Sequence, residues 1–396
     1  MAILSATGRS KHPDAAIAVN EAVTQAMSKL GNNPPSLALV FASVSYDQQR
    51  LLSSLRSALP AGVKVVGCSD AGEITENGPE KKSIALMLLS VPTLKIYTAV
   101  AGDIAADAEA AGRDIATQIQ TQAGGRPKVF FMMPDGLVGD GAAIVKGVQS
   151  VFGSTYRFVG GSAGDDFLFR KTYQYHGETV YSGTIVAVGI DGDIASGIGV
   201  RHGWKAFGIT HKVTKAKGNI VYEIDHLPAI SIYEEYFGKE NSDLLKVGSL
   251  ARLSLTYPLG MQVADSPEWL IRDPLSVDDN GAITCAAAIP QGAEIQIMLG
   301  GKEEAIAAAE QAASQAMSEL GAHVPKAIIN FNCIARSRLF GLHASDETQA
   351  IINAIGPGTP LLGFYTYGEQ APLGDQMKSC QTGFHNETAV ILVLGE

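Results

Sequence analysis

Three glycine turns hold the polar residues best placed to bind a ligand. The stretches are GCSDAGE at 67–73, GGSAGDD at 160–166 and GFYTYGE at 363–369, and each follows a short apolar run. Glycine permits positive φ and close backbone approach, so such turns can face a ligand. The side chains expected to contact it are Ser69, Glu73, Ser162, Asp165 and Glu369, with the three acids Glu73, Asp165 and Glu369 in equivalent positions. The alternative is that the turns are tight strand connections whose carboxylates cap backbone amides.

A second group of polar residues follows an apolar run near the C-terminus. Asn332, Cys333 and Arg336 come directly after the predicted strand 326–331, and the turn at 363–369 adds Thr366 and Tyr367. A guanidinium at a strand end can clamp a carboxylate or phosphate with two parallel hydrogen bonds. Ligands of open α/β sheets gather outside such strand ends. We therefore expect these residues and Glu369 to line one cavity.

Catalytic motifs are scarce in the sequence. There is no Walker loop, no G-x-G-x-x-G opening a helix and no H-E-x-x-H. Ser162 lies in a G-G-S-A-G stretch that resembles a nucleophile elbow, but it is followed by Asp165 and Asp166 instead of a helix pattern. A hydrolase or acyl/amide-transfer enzyme using Ser162 or Cys333 is the alternative to a protein without catalysis, which is the favoured interpretation. A scaffold whose turns bind another protein is a third option.

The turns belong to a repeated pattern of helices and strands. Each unit is predicted to run α-β-α-β-turn-β, with continuous apolar strands of the kind buried on both faces. The first helices cover 14–30, 103–122 and 302–320; the first strands 37–44, 128–133 and 326–331; the second helices 47–59, 140–152 and 345–355; and the last strands 83–89, 183–190 and 389–394. This alternation predicts an α/β protein of layered sheets flanked by helices.

The repeat is interrupted once. Residues 196–300 show more strand-like alternation than the rest and are predicted to be a β-rich bridging region. The expected division is therefore 1–195 with two units, 196–300 as the bridge and 301–396 with the third unit.

Composition excludes several classes of protein. The chain of 396 residues is 46% apolar and 18% charged, as in an ordinary soluble globule, with a net charge of −10. The acidic balance argues against nucleic acid or an anionic membrane as the main partner. No apolar run of about 20 residues could span a bilayer. The start of the chain lacks the features of a signal peptide, and the four cysteines show no C-x-x-C spacing, so we expect a cytoplasmic protein.

Five stretches in order resemble the FIST family, with its N- and C-terminal domains, over essentially the whole chain. They are 66–74, 160–166, 203–208, 332–336 and 363–372 followed by 385–388. The resemblance implies a ligand-sensing module of signal transduction, with small molecules such as amino acids suggested as ligands. It further implies a separately encoded signalling partner such as a histidine kinase, and a homodimer is a further expectation.

One subgroup of stand-alone FIST proteins, similar in size, is described as haem-binding and sensing nitric oxide. Haem needs an axial ligand in an apolar, aromatic pocket. His202 stands beside Trp204 and Phe207, with Arg201 and Lys205 available for the propionates. His202 is therefore the expected axial ligand. The reserves are His176, His211 and His385.

Overall fold

Two successive units of helices and strands open the fold. The computed structural model describes residues 3–238, 248–263, 269–373 and 381–396. The first unit comprises β1 Leu4–Ser10, α1 Ala15–Leu30, β2 Leu37–Ala42, α2 Gln48–Ala58, β3 Lys64–Ser69, β4 Glu73–Thr75, β5 Gly78–Glu80 and β6 Ile84–Ser90. The second comprises β7 Lys95–Ala101, α3 Ala108–Ala123, β8 Val129–Pro134, α4 Gly141–Phe152, β9 Val159–Gly161, β10 Gln174–His176, β11 Thr179–Tyr181 and β12 Ile185–Asp191.

The third unit is divided by the bridging module, which we define as residues 205–299. The unit starts with β13 Ala195–Arg201. The module holds β14 Lys205–Lys217, β15 Ile220–Ile224, β16 Leu227–Pro228, α5 Ser231–Phe237, α6 Leu250–Ser254, β17 Leu259–Gln262, β18 Trp269–Arg272, β19 Pro274–Val277, β20 Ile283–Cys285 and β21 Glu294–Leu299. The unit resumes with α7 Lys302–Leu320, β22 Pro325–Cys333, α8 Ile334–Phe340, a 3-10 turn Gly341–His343, α9 Ala344–Ile355, β23 Leu361–Thr366, β24 Glu369–Pro372, β25 Thr382–His385 and β26 Ala389–Gly395.

Local sequence explains where α1 begins and how closely the first helices pack on their sheets. The Asp14 carboxylate caps α1 by accepting the N–H of Ala16 at 2.9 Å. The alanine-rich faces of these helices lie against the first strand of the same unit. At Gly199 of β13 an added Cβ would lie 1.7 Å from the Ala312 carbonyl oxygen of α7, so only glycine permits this approach.

The three sheets of the units share one strand order. The orders are β1-β6-β2-β3-β10-β11, β7-β12-β8-β9-β24-β25 and β13-β26-β22-β23-β4-β5. In each sheet the two strands around the second helix are parallel, and their neighbours are antiparallel. The hairpin after each glycine turn therefore completes the sheet of another unit.

Side chains from all three sheets meet in one central core. Phenylalanines of β2, β8, β22 and β23 stand there, with ring centroids 4.3 Å apart for Phe41 and Phe364 and 6.4 Å apart for Phe131 and Phe331. The helices cover the opposite faces and build a separate apolar cluster on each sheet. The predicted α/β class with layered sheets and flanking helices is confirmed.

The bridging module has a sheet of its own, ordered β18-β17-β21-β14-β15-β20-β19, with β16 beside β15. Its β-rich character agrees with the sequence. β13 pairs along its whole length with β26, from Ala195 opposite Gly395 to Arg201 opposite Ala389. The first strand of the third sheet thus lies within the predicted bridge of 196–300, while the domain division itself stays a prediction.

Candidate functional site

The three glycine turns meet one another. Backbone hydrogen bonds link the first turn to the second and the third, and the second to the third. They are Gly164 N to Ser69 O (3.0 Å), Asp166 N to Asp70 O (3.0 Å), Ala71 N to Tyr365 O (3.2 Å), Tyr365 N to Gly72 O (2.8 Å), Ser162 N to Gly368 O (2.8 Å) and Tyr367 N to Ser162 O (3.0 Å). The polar backbone groups of the turns are therefore largely engaged with each other, as expected of tight connections.

The turn hydroxyls are engaged in the same junction. Ser69 Oγ donates to the Gly164 carbonyl at 2.7 Å and accepts the N–H of Tyr173 at 2.8 Å. Ser162 Oγ accepts from Gln370 Nε2 at 3.1 Å, and no other hydrogen bond of that hydroxyl occurs in the described part of the chain. An amide cannot act as the general base that a serine nucleophile needs.

Cys333 is no better placed as a nucleophile. The residue is 5% exposed. Burial, and then the charge of Glu369, raise the pKa of its thiol well above the ordinary value. A thiolate is the reactive form of cysteine, and burial disfavours that form at Cys333.

The strand register shows which polar residues are equivalent. Glu73 pairs with Phe364, Glu369 with Gly161 and Gln174 with Cys68, each at the start of an exchanged hairpin. Each contacts the residue just before the last strand of its own unit: Ser83 for Glu73, Thr388 for Glu369 and Thr184 for Gln174. The expectation that Asp165 is the second-unit counterpart is therefore wrong, because an inserted loop moves the hairpin to Gln174.

Asp165 instead holds that inserted loop. Its carboxylate accepts the N–H groups of Phe169 at 2.9 Å, Arg170 at 2.6 Å and Lys171 at 3.0 Å. The Tyr367 hydroxyl donates to the same carboxylate at 2.6 Å. These four donors make Asp165 a structural anchor.

Three of the turn acids, Asp70, Glu73 and Glu369, are buried. Burial, and then the charge of Asp70, raise the pKa of Glu73 well above its ordinary value, and burial raises that of Asp70 likewise. Asp70 Oδ2 and Glu73 Oε1 have no hydrogen-bond partner among the described residues, so each buried carboxyl is left partly unsatisfied. Burial raises the pKa of Glu369 to about 8, against the hydrogen bond from Thr366.

Arg336 is fully buried, and protein acceptors engage every N–H of its guanidinium. Nε and Nη2 donate to Glu347 Oε1 at 2.9 and 2.6 Å, and Nη2 donates to the Ala305 carbonyl at 2.7 Å. Nη1 donates to the carbonyls of His202 at 2.7 Å and Glu387 at 3.3 Å. A guanidinium has five N–H donors, so none is left for a ligand in this arrangement.

The other members of the predicted cavity are divided among separate places. Asn332 donates to Glu347 at 2.7 Å and so belongs to the Arg336 cluster, whereas Thr366 contacts Glu369. Tyr367 and Ser162 line a cavity of about 220 Å³ between the second unit and the bridging module. The structure thus brings the turns together but does not gather Arg336, Thr366, Tyr367 and Glu369 around one space.

A recess lies where the third unit, its β24–β25 hairpin and the bridging module meet. Its volume is about 320 Å³, within the range of small-molecule sites. Its lining includes Arg201, His202, Trp204, Lys205, Trp269, Glu304, Gln311, Leu373, His385 and Thr388. We call it the junction cavity.

Sequence reasoning located His202, Trp204, Arg201 and Lys205 in the junction cavity as neighbours in the chain. It missed Trp269, Glu304 and Gln311, which come from β18 and α7. No motif marks these residues, because only folding brings the three segments together.

The hydrogen bonds of the two cavity histidines define their tautomers. His202 Nδ1 accepts the N–H of Trp204 at 3.0 Å, so the proton of the neutral ring is on Nε2. His385 Nε2 donates to the Ala371 carbonyl at 3.0 Å, which leaves Nδ1 unprotonated. Burial lowers the pKa of His202 to about 4 and that of His385 to about 3, so both rings are neutral at pH 7.

A metal-bound imidazole normally donates its second ring N–H to a carbonyl or carboxylate. His202 accepts at that position instead and does not fit as a haem ligand. His385 shows the expected donor to a carbonyl. The reserves His176 and His211 contact Thr98 and Asp225 respectively and do not line the junction cavity.

No group of three or more His, Cys, Asp or Glu side chains among the described residues is arranged to hold a metal ion. None of the helices described there is long and apolar enough to cross a membrane.

Comparisons with known proteins identify a family. The chain is similar to the crystal structure of a cyanuric acid hydrolase from A. caulinodans over 99% of both chains, with 11% identity and a TM-score of 0.40. An uncharacterized protein of Methanocaldococcus jannaschii is 36% identical over 115 residues, which are 27% of this chain and 22% of that protein. The chain thus spans about a fifth of that relative's length. Residues 36–227 match the FIST N domain and residues 229–372 match the FIST C domain, so this chain belongs to the FIST family.

Proposed function

We propose that this protein senses a small molecule bound in the junction cavity and signals through a separate protein. FIST domains are small-ligand-sensing domains of signal transduction. The observation that carries the proposal is the cavity itself: about 320 Å³, with aromatic walls and both signs of charge at one place. A few polar groups on apolar walls are the usual composition of a binding site.

The lining points to the chemistry of the ligand. Trp204 and Trp269 provide apolar faces, Arg201 and Lys205 are cations, and Glu304 is an acid. Trp204 is 4% exposed, and its indole Nε1 has no hydrogen-bond partner in the described part of the protein. A buried donor without a partner is costly, and a ligand acceptor would satisfy it. These features suit a small zwitterion, and the family resemblance suggests an amino acid.

The position of the cavity suits a sensor. Its walls come from β13 and α7 of the third unit, from β14 and β18 of the bridging module, and from the hairpin that completes the second sheet. A ligand that contacts the third unit, the bridging module and this hairpin together can favour one arrangement of them over another. The proposed readout is a separately encoded partner, for which a histidine kinase is the candidate, with a homodimer as the proposed assembly.

Binding is favoured over catalysis because the Ser162 hydroxyl accepts from an amide and burial raises the pKa of the Cys333 thiol. The proposed location is the cytoplasm. Cys68, Cys285 and Cys333 are free and buried, which accords with a reducing compartment.

The test is a thermal-shift screen of amino acids and related metabolites, followed by calorimetry. Trp269→Ala is expected to weaken a hit at least tenfold, because an aromatic wall is lost. Phe207→Ala is the matched control, since Phe207 is an aromatic of the same module, is 45% exposed and lies outside the cavity lining. Equal affinities of the two variants would place the ligand elsewhere.

A haem-bound nitric-oxide sensor is the second candidate. The favouring observation is the His385 donor to Ala371, beside two tryptophans and the cations Arg201 and Lys205 that suit propionates. Haem would supply the iron that binds nitric oxide. His385→Ala should then abolish the Soret band of a haem-supplied sample, whereas His202→Ala should retain it. No band in the wild-type protein would leave the small zwitterion as the ligand.

A further inference from the structure

A second surface, whose residues do not line the junction cavity, combines apolar tips with cations. It consists of the loop 166–171 that follows the second glycine turn, together with Lys81, Lys82 and Arg338; we call it the loop surface. Asp165 pins this loop by accepting three of its backbone N–H groups. The Tyr367 hydroxyl accepts a fourth, from Phe167, at 2.9 Å. The loop is therefore held in one shape.

The loop presents apolar side chains to solvent. Leu168 is 52% exposed and Phe169 57% exposed, although Phe169 also stacks on Tyr367 with ring centroids 5.1 Å apart. The exposed parts of these two large apolar side chains contribute nothing to the stability of the fold. A partner that covers them would gain from burying them.

Backbone strain concentrates at the same place. The described part of the chain has eight non-glycine residues with positive φ, and four belong to the loop surface: Lys82 (54°), Asp166 (55°), Phe167 (68°) and Phe169 (51°). Phenylalanine rarely takes this conformation, which costs free energy. Strained backbone of this kind clusters at the functional sites of proteins.

Five exposed cations surround the apolar tip. Arg170 and Lys171 are in the loop, and the Arg338 guanidinium lies 4.0 Å from the Phe167 ring centroid. Lys81 and Lys82 are close enough to Asp166 to lower its pKa, although burial raises that pKa by more. Asp166 is half-buried and accepts from Ser43. The loop surface thus holds five cations and one carboxylate, that of Asp166, on a chain whose net charge is −10.

We propose that the loop surface docks on an anionic lipid surface, with Leu168 and Phe169 entering the headgroup layer and the five cations facing acidic headgroups. Apolar tips and flanking cations are the two elements of peripheral membrane attachment. The acidic remainder of the protein would be repelled, so the contact has one orientation. A second copy fits poorly, because a two-fold interface would set this positive face against itself.

The test is sedimentation of the full chain with vesicles of phosphatidylcholine alone or mixed with phosphatidylserine. Binding is expected only with phosphatidylserine, and it should weaken as salt screens the charges. Replacing Lys81 and Lys82 by Gln should weaken binding about fivefold per cation removed. Leu168→Ser with Phe169→Ser should reduce binding to the background level. The matched control is Ile17→Ser with Phe207→Ser, since both residues are 45% exposed and lie elsewhere.

A second readout reports insertion directly. Phe169→Trp should show a blue shift of its fluorescence with phosphatidylserine vesicles and none with phosphatidylcholine alone. Absence of sedimentation and of the shift at low salt overturns the lipid proposal and leaves an acidic protein as the occupant. Equal loss in the control pair would also overturn it. None of the residues of the loop surface lines the junction cavity, so this result is independent of the proposed function.

Discussion

Replacing Arg336 by Ala tests whether this residue clamps the fold or binds a ligand. The guanidinium joins four segments: Glu347 of α9, the Ala305 carbonyl of α7, the His202 carbonyl after β13 and the Glu387 carbonyl before β26. Both charged side chains are buried, at 0% and 1% exposure. Removing one partner of a buried ion pair costs about 3–5 kcal/mol, because the other charge stays uncompensated.

Arg336→Ala is therefore expected to lower the free energy of unfolding by about 4 kcal/mol or more, as measured by urea unfolding. Three carbonyls lose a donor in addition, and each lost hydrogen bond in a buried site adds to the cost. Arg338→Ala is the matched control on the same helix. Its guanidinium is exposed and stacks on Phe167, so the expected loss is about 1 kcal/mol or less.

A double-mutant cycle separates the ion pair from general damage. The double variant Arg336→Met with Glu347→Met leaves neither charge of this ion pair unpaired. Its loss in free energy of unfolding should therefore be smaller than the sum of the losses of the two single variants. A loss below about 1 kcal/mol in Arg336→Ala would refute this reasoning. Weaker ligand binding at unchanged stability would restore Arg336 as a ligand clamp.

Two pH effects and one structural comparison provide further predictions. Burial raises the pKa of Glu369 from 4.5 to about 8, so the folded protein loses stability as pH rises between these values. In denaturant titrations Glu369→Gln should be more stable than the wild type by about 3 kcal/mol at pH 7, and no more stable near pH 4. Burial lowers the pKa of His202 to about 4 and of His385 to about 3, so the unfolded chain binds protons first as pH falls. The thermal midpoint of the wild type should therefore fall below pH 6.5, and that of His385→Gln should fall less steeply. Superposition of the three units should bring Glu73, Gln174 and Glu369 to equivalent places.

The sequence by itself determined the main helices and central strands of each unit, but not the opening strands β1, β7 and β13 or the exchanged hairpins. Local patterns carry that information: apolar periodicity, capping residues such as Asp14, and glycines that end a strand or helix. The predicted helix 302–320 matches α7, and the strand 37–44 matches β2 within two residues. The acidic residue of the second turn was misassigned because a loop insertion shifts the register, which only strand pairing reveals.

Tertiary structure alone decided how the units combine. The exchanged hairpins pair residues far apart in the chain, as when Gln370 of β24 contacts Ser162 of the second turn. No local pattern encodes such a partner, because any buried strand edge can pair with any other of compatible length and register. The junction cavity arises in the same way, from Trp269, Glu304 and His385 on three separate segments.

Charge and burial were also decided by the tertiary structure. Arg336 reads in the sequence as a free cation at a strand end, yet folding surrounds it with protein acceptors. The net charge of −10 gives no sign of the positive loop surface, since Lys82, Lys171 and Arg338 are distant in the chain. Composition counts charges, but interactions depend on their separation and solvation, and both are fixed only when the chain folds.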